Sequence, residues 1–293
     1  MSVMSQSCLE NMPGTKLEGA WLVWLQENID RKCDPEQLLS ILSKNGFSPK
    51  SIQAHMESLF PANFRLLEDA AQKLDPQIDY VAISKVRITR ADCGLNVQHV
   101  PTPKLQLYTL DGFMDDEECD RMVEISSRHL RPSTLTTCDV GYRTSNTSDL
   151  SMLNDPYVAK VGEKIAKTLG IRQSCSEGIE AQRYDAGQEF KAHTDYFQPG
   201  TDEYTSFAGD HGQRTWTFMV YLNEGMKGGG TKFFAIDKVF TPRKGMAVIW
   251  NNLYEDGSPN PDTLHSGLPV ESGYKTIITQ WFRDRGTHPM FYD

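Results

Sequence analysis

The stretch Gln182-Arg183-Tyr184-Asp185-Ala186-Gly187-Gln188-Glu189-Phe190-Lys191-Ala192-His193-Thr194-Asp195 decides how this chain is read. Its front half continues a short strand from Ile179 to Tyr184, and Asp185-Ala186-Gly187 is turn chemistry. His193 and Asp195 stand two residues apart, so on extended backbone both side chains point to one face. An imidazole beside a carboxylate is half of a metal site. Two histidines and one carboxylate on one side of an ion leave open positions, the arrangement suited to non-haem iron(II). A second histidine is therefore required downstream. His265, in Thr263-Leu264-His265-Ser266-Gly267, follows a proline-rich turn, but His211 and His288 are also near, and spacing alone does not choose among them.

Outward from this segment, short strands broken by Gly, Pro, Asn and Asp run through the C-terminal half. Thr215 to Leu222, Met246 to Trp250 and Lys275 to Arg283 are the clearest, with Leu105 to Leu110 further upstream. Such a pattern predicts a sandwich, jelly roll or barrel. Asp115-Asp116-Glu117-Glu118 opens one helix with an acidic first turn, and Pro156 to Leu169 reads as another. Tyr80 to Arg90, rich in β-branched residues, has a strand-like texture, and Val100-Pro101-Thr102-Pro103 reads as a linker or edge element.

Residues 16 to about 75 read as helical. Leu17, Trp21, Trp24 and Leu25 repeat at helical spacing; Asp34-Pro35 offers a cap and a first-turn proline; Ser48-Pro49 starts a further helix through Ile52, Met56 and Leu59. The expected class is α+β: a strand-rich domain at 104–293, a linker or edge element at 79–103, and a small helical N-terminal domain of unknown role at 1–78.

Composition bounds the function. With 39% hydrophobic and 24% charged residues, the 293-residue chain is of ordinary globular type. Its net charge of −9 argues against non-specific nucleic-acid binding. The longest apolar run near the start, Ala20 to Leu25, is far short of the roughly 20 residues of a membrane span. No basic segment leads into an apolar one, so no signal peptide is expected. Six scattered cysteines without a CxxC pair point to reduced thiols, and a cytoplasmic location is expected.

Lys275 lies ten residues beyond His265, at the head of the apolar run Thr276 to Phe282. Turned inward within a small barrel, it needs an anionic partner, because a buried unpaired ammonium is costly. From about residue 104 to 285 the chain resembles the prolyl 4-hydroxylase-like iron(II)/2-oxoglutarate dioxygenases. The likeness rests on motifs in a fixed order: Arg183-Tyr184 with Gly187-Gln188, His193-Thr194-Asp195, Gln213-Arg214, Tyr221-Leu222-Asn223, Gly229-Gly230-Thr231, Gly245-Met246-Ala247, Leu264-His265-Ser266-Gly267, and Lys275 with Trp281.

That resemblance implies a double-stranded β-helix (jelly-roll) catalytic domain at 104–293, with iron(II) on His193, Asp195 and His265, 2-oxoglutarate and O2 as co-substrates and ascorbate as a reductant. It implies Lys275 as the partner of the distal 2-oxoglutarate carboxylate, with Tyr184 and Thr231 as hydroxyl donors to it. It places Arg214 and Trp281 on the catalytic, peptide-substrate side of the pocket. The implied acceptor is a prolyl residue in a peptide or protein; charge and the short apolar runs separately predict no nucleic-acid or membrane partner. Two positions depart from the pattern: Arg283 stands where relatives acting on peptidyl proline often carry histidine, and Phe190 where they often carry tyrosine. Arg283 is therefore expected to meet a substrate carboxylate, which would suit a free amino acid or an acidic peptide. A non-catalytic module with a partner-recruiting helical domain is a further alternative. A zinc hydrolase on the same three ligands lacks a glutamate general base and leaves Lys275 unexplained.

Overall fold

A computed structural model describes residues 16–31, 33, 35–60, 77–133, 144–199, 201–209, 211–286 and 289–292. Three helices come first, α1 (Gly19–Asp30), α2 (Pro35–Lys44) and α3 (Pro49–Met56), followed by α4 (Tyr80–Ser84). Next are β1 (Val97–His99), β2 (Leu107–Leu110), α5 (Asp116–Ser127), β3 (Arg131–Pro132), β4 (Asn146–Asp149) and α6 (Pro156–Leu169). The remainder is β5 (Glu180–Asp185), β6 (Phe190–His193), α7 (Asp202–Phe207), β7 (Arg214–Tyr221), β8 (Lys227–Gly228), β9 (Thr231–Phe233), β10 (Lys238–Phe240), β11 (Ala247–Asn251), β12 (His265–Gly267), β13 (Val270–Ser272) and β14 (Tyr274–Arg283). The expected cap Asp34 and the expected helix beyond residue 60 fall outside the described residues.

The strands pair antiparallel into a large sheet ordered β1-β2-β11-β7-β14-β5-β4-β3, a small sheet ordered β10-β9-β12-β6, and a ribbon of β13 and β8. This is the jelly roll. Alternation along each central strand explains the layers. In β7, Trp216, Phe218 and Val220 enter the core on one face, while Met219 and Tyr221 enter a second core on the other. In β11, Ala247 and Ile249 join the first set, Val248 and Trp250 the second. A strand buried on both faces needs apolar side chains at both parities. The second core lies between the sheets, where Phe233 and Phe240 of the small sheet meet it.

The first core is closed by helices. Asp155 caps α6 by accepting from Tyr157 N at 2.7 Å, and Gly170 ends it in the left-handed region at φ +94°. Val158, Val161, Ile165 and Leu169 then fall on one face and pack on the large sheet. A reciprocal capping box of Asp115 and Glu118 starts α5, and Glu118 also binds Lys164 of α6 at 2.7 Å.

Tyr80 to Thr89 departs from the strand-like texture read in the sequence: it forms α4 and a 3-10 turn at Arg87–Thr89. Asp79 caps Ala82 N at 2.9 Å, and Tyr80, Ile83, Val86 and Ile88 are buried in the first core. Tertiary burial has overridden β-propensity here. The N-terminal helices form a third core from Leu17, Trp21, Trp24, Leu25, Leu42, Phe47, Ile52 and Met56. It is completed by Ala192, Phe234 and Leu264 of the jelly roll, with Glu27 paired to Lys232 at 2.5 Å.

Candidate active site

His193 ends β6 and His265 begins β12, and the two are direct cross-strand partners. Their ring centroids are 4.3 Å apart. Asp195 lies just past the strand, and one ligand atom from each of the three residues falls within 4.8 Å of the others. Among the described residues this is the one such cluster of His, Cys, Asp and Glu. Pairing of β12 with β6 therefore chooses His265; His211 joins no such cluster, and His288 lies outside the described residues.

Both imidazoles are oriented in the same way. His193 Nδ1 lies 2.7 Å from Lys191 O, and His265 Nδ1 lies 2.9 Å from Thr263 O. A carbonyl only accepts, so each Nδ1 carries the proton and each Nε2 keeps its lone pair for a metal. Burial pushes the Asp195 carboxyl up, but His265, His193, Arg214 and the Thr217 hydroxyl outweigh that and hold it below the usual range. The carboxylate is thus anionic at neutral pH.

Along β14, Lys275, Ile277, Thr279 and Trp281 share one parity and all line the cavity that contains the three ligands. Lys275 is 1% exposed, and among the described residues no carboxylate pairs with it. Burial lowers its ammonium pKa to about 7. Its Nζ lies 4.2 Å from the centre of the Tyr184 ring, and Gly267 makes room for it: a Cβ there would stand 3.2 Å from Nζ. Tyr184 donates to Gln182 Oε1 at 2.6 Å, and Thr231 accepts from the Tyr221 hydroxyl at 2.6 Å. All of these except Tyr221 line the same cavity. Phe190 lines it too, stacked on His193 with centroids 3.6 Å apart.

Arg214, Trp281 and Arg283 gather around a residue not foreseen from the sequence. Glu177 binds Arg214 Nε at 2.5 Å and Nη2 at 2.8 Å, and Arg283 Nε lies 2.8 Å from the same carboxylate. Burial alone would raise the Glu177 carboxyl, yet Arg214 and Arg283 bring it below its usual range. The Arg214 guanidinium also stacks over Trp281 at 4.1 Å and Phe197 at 4.8 Å. Arg283 Nη1 donates to Phe207 O at 2.9 Å and Gly212 O at 2.5 Å. This corrects the expectation that Arg283 meets a substrate carboxylate. Its charge is spent on Glu177, and its donors fasten the segment that carries α7. Sequence offered no sign of Glu177, because its role arises only where β7, β14 and a loop meet.

Residues 179–283 match the model of the 2OG-Fe(II) oxygenase superfamily. Probable prolyl 4-hydroxylase 4 of Arabidopsis thaliana is 31% identical over 61% of this chain and 67% of its own length. Probable prolyl 4-hydroxylase 7 of the same plant is 30% identical over 68% of this chain and 70% of its own. The chain belongs to the prolyl 4-hydroxylase-like 2OG-Fe(II) oxygenases. It spans only 33% of the chicken prolyl 4-hydroxylase subunit alpha-2. A solved viral collagen prolyl hydroxylase from Paramecium bursaria Chlorella virus-1, in complex with 2OG, is 27% identical, with a TM-score of 0.48, covering 60% of this chain and 94% of that one.

The residues present fit the oxygenase's iron and co-substrate. Two Nε2 lone pairs and one carboxylate suit a divalent ion, and a buried lysine with no carboxylate paired to it among the described residues suits a dicarboxylate. Bound iron(II) with 2-oxoglutarate and O2 supplies oxidative decarboxylation coupled to C–H hydroxylation. The chain's own task is to hold, orient and keep dry. His193, Asp195 and His265 would hold the metal at one end of the cavity. Carbon-lined walls from Phe190, Met219, Trp250 and Ile277 limit the water that competes for Lys275.

Proposed function

We propose that this oxygenase hydroxylates a prolyl residue within a peptide or protein chain, with Lys275, Tyr184 and Thr231 receiving the distal carboxylate of 2-oxoglutarate. The observation that carries the reading is the shared cavity, with the His193–Asp195–His265 cluster on its wall beside the Lys275 ammonium, which has no carboxylate partner among the described residues. The named plant relatives support the prolyl acceptor. Trp281 lines the same cavity, and its buried indole N–H has no acceptor among the described residues, so it is available to a substrate carbonyl. Arg214, fixed by Glu177 and stacked on Trp281, forms the neighbouring wall. The proposal includes ascorbate as the reductant and, from the scattered cysteines, a cytoplasmic site of action.

Succinate release with iron(II), 2-oxoglutarate and O2 is the test. Proline-containing peptides are expected to raise it and to gain one oxygen by mass, and His193→Ala is expected to abolish both. Stimulation by free amino acids with none by peptides would move the acceptor to a small molecule. An inert protein with intact metal binding would favour the partner-recruiting module instead.

A further inference from the structure

The two oxygens of Asp195 are not equivalent, and a buried chain of donors distinguishes them. Trp250 Nε1 lies 3.0 Å from Asn252 Oδ1, and an indole N–H can only donate. That contact fixes which way the Asn252 amide faces. Asn252 Nδ2 then donates to Thr217 Oγ1 at 2.9 Å. With its oxygen accepting there, the Thr217 hydroxyl sends its single proton to Asp195 Oδ2 at 2.6 Å. Trp250 is 1% exposed, Asn252 and Thr217 are fully buried, and Asp195 is 6% exposed, so water does not offer alternative partners. Asp195 Oδ1 is the oxygen that lies 3.8 Å from His193 Nε2. The Trp250 ring also packs edge-on against His265, with centroids 4.8 Å apart at 66°.

We infer that Trp250, Asn252 and Thr217 form a positioning relay that occupies Asp195 Oδ2 and reserves Oδ1 for the metal. The relay rests on the iron-site reading above. Its direction is set at one end by a group that has no acceptor, so no member can reverse without breaking a bond. A hydroxyl turned away from Asp195 would give up a short charge-assisted bond and leave the carboxylate free to rotate. Thr217 and Asn252 touch neither substrate nor metal in this scheme; they act through Asp195. Trp250 adds a second constraint on the same centre through the His265 ring.

The test is Mn(II) affinity of the full chain, measured by the electron paramagnetic resonance signal of unbound ion. Thr217→Val keeps shape and removes the hydroxyl; it is expected to weaken binding about 10–100-fold, the usual cost of losing an outer partner of a metal ligand. Thr217→Ser is expected to restore wild-type affinity. Trp250→Phe, which keeps a ring against His265 but removes the N–H, is expected to weaken binding in the same direction. Equal Mn(II) affinity in wild type and folded Thr217→Val overturns the relay. If Thr217→Val fails to fold, unchanged affinity in Trp250→Phe overturns it instead. Wild type that binds no Mn(II) would refute the iron site itself, a distinct outcome.

Discussion

Replacing Lys275 by methionine separates the cost of burying its charge from the use made of it. Burial takes the Lys275 ammonium from 10.5 to about 7. At about 1.4 kcal/mol per pH unit, that corresponds to a folding cost on the order of 5 kcal/mol when the group is charged in the unfolded chain. The sign follows from the direction. A base whose folded value is depressed binds fewer protons when folded, so the cost is full below pH 7, shrinks as pH rises, and vanishes above 10.5. Metal-free Lys275→Met is therefore expected to be more stable than wild type at pH 6, by up to several kcal/mol, with the gap closing towards pH 10. Adding 2-oxoglutarate should reverse the order near neutral pH, since it stabilises only the chain that pairs with it. Wild-type affinity for 2-oxoglutarate should also fall as pH rises past 7. Urea denaturation at pH 6, 7.5 and 9, with and without 2-oxoglutarate, reads all three. A methionine variant less stable than wild type at pH 6, or equally stabilised by 2-oxoglutarate, would show respectively that the Lys275 charge is not costly to bury or not used by 2-oxoglutarate.

Other outcomes follow from the same contacts. Glu177→Gln leaves Arg214 and Arg283 without their shared anion; with Glu177 a quarter exposed, a loss of about 2–3 kcal/mol is expected by urea denaturation. With Arg214 and Trp281 proposed on the substrate side, peptide-stimulated turnover should fall further than the 2-oxoglutarate affinity. Arg283→Ala should speed proteolysis of the segment carrying α7, whose carbonyls at Phe207 and Gly212 it holds; unchanged cleavage would count against that anchoring. Leu264→Ala, at the junction of the helical core and the residue before His265, should cost about 2–5 kcal/mol in thermal or urea unfolding.

The site was legible where its residues obey a local rule. Short apolar runs bounded by turn residues mark β7, β11 and β14, and parity along β14 already aligns Lys275 with Trp281. The His-x-Asp pair announces two ligands, but only the antiparallel pairing of β12 with β6 selects His265 as the third. What escaped the sequence depends on tertiary geometry. Tyr80–Thr89 carries β-branched residues yet folds as helical turns, because Asp79 caps it and Tyr80 and Ile83 reach the core. Thr217 stood in plain view as a polar residue on the inward face of an apolar strand, beside Met219 and Tyr221; its partners Asn252 and Asp195 are distant in sequence. Arg283 looked like a free cation because Glu177, more than a hundred residues earlier, bears no local mark of pairing with it.

The most direct measurement is anaerobic titration of the full chain with iron(II) and 2-oxoglutarate, following the visible charge-transfer band that a keto acid gives when it chelates iron. Wild type should give a saturable band, His193→Ala and His265→Ala should lose it, and Lys275→Met should require more 2-oxoglutarate. An undiminished band in His193→Ala, or none in wild type, would rule out iron held by His193, Asp195 and His265.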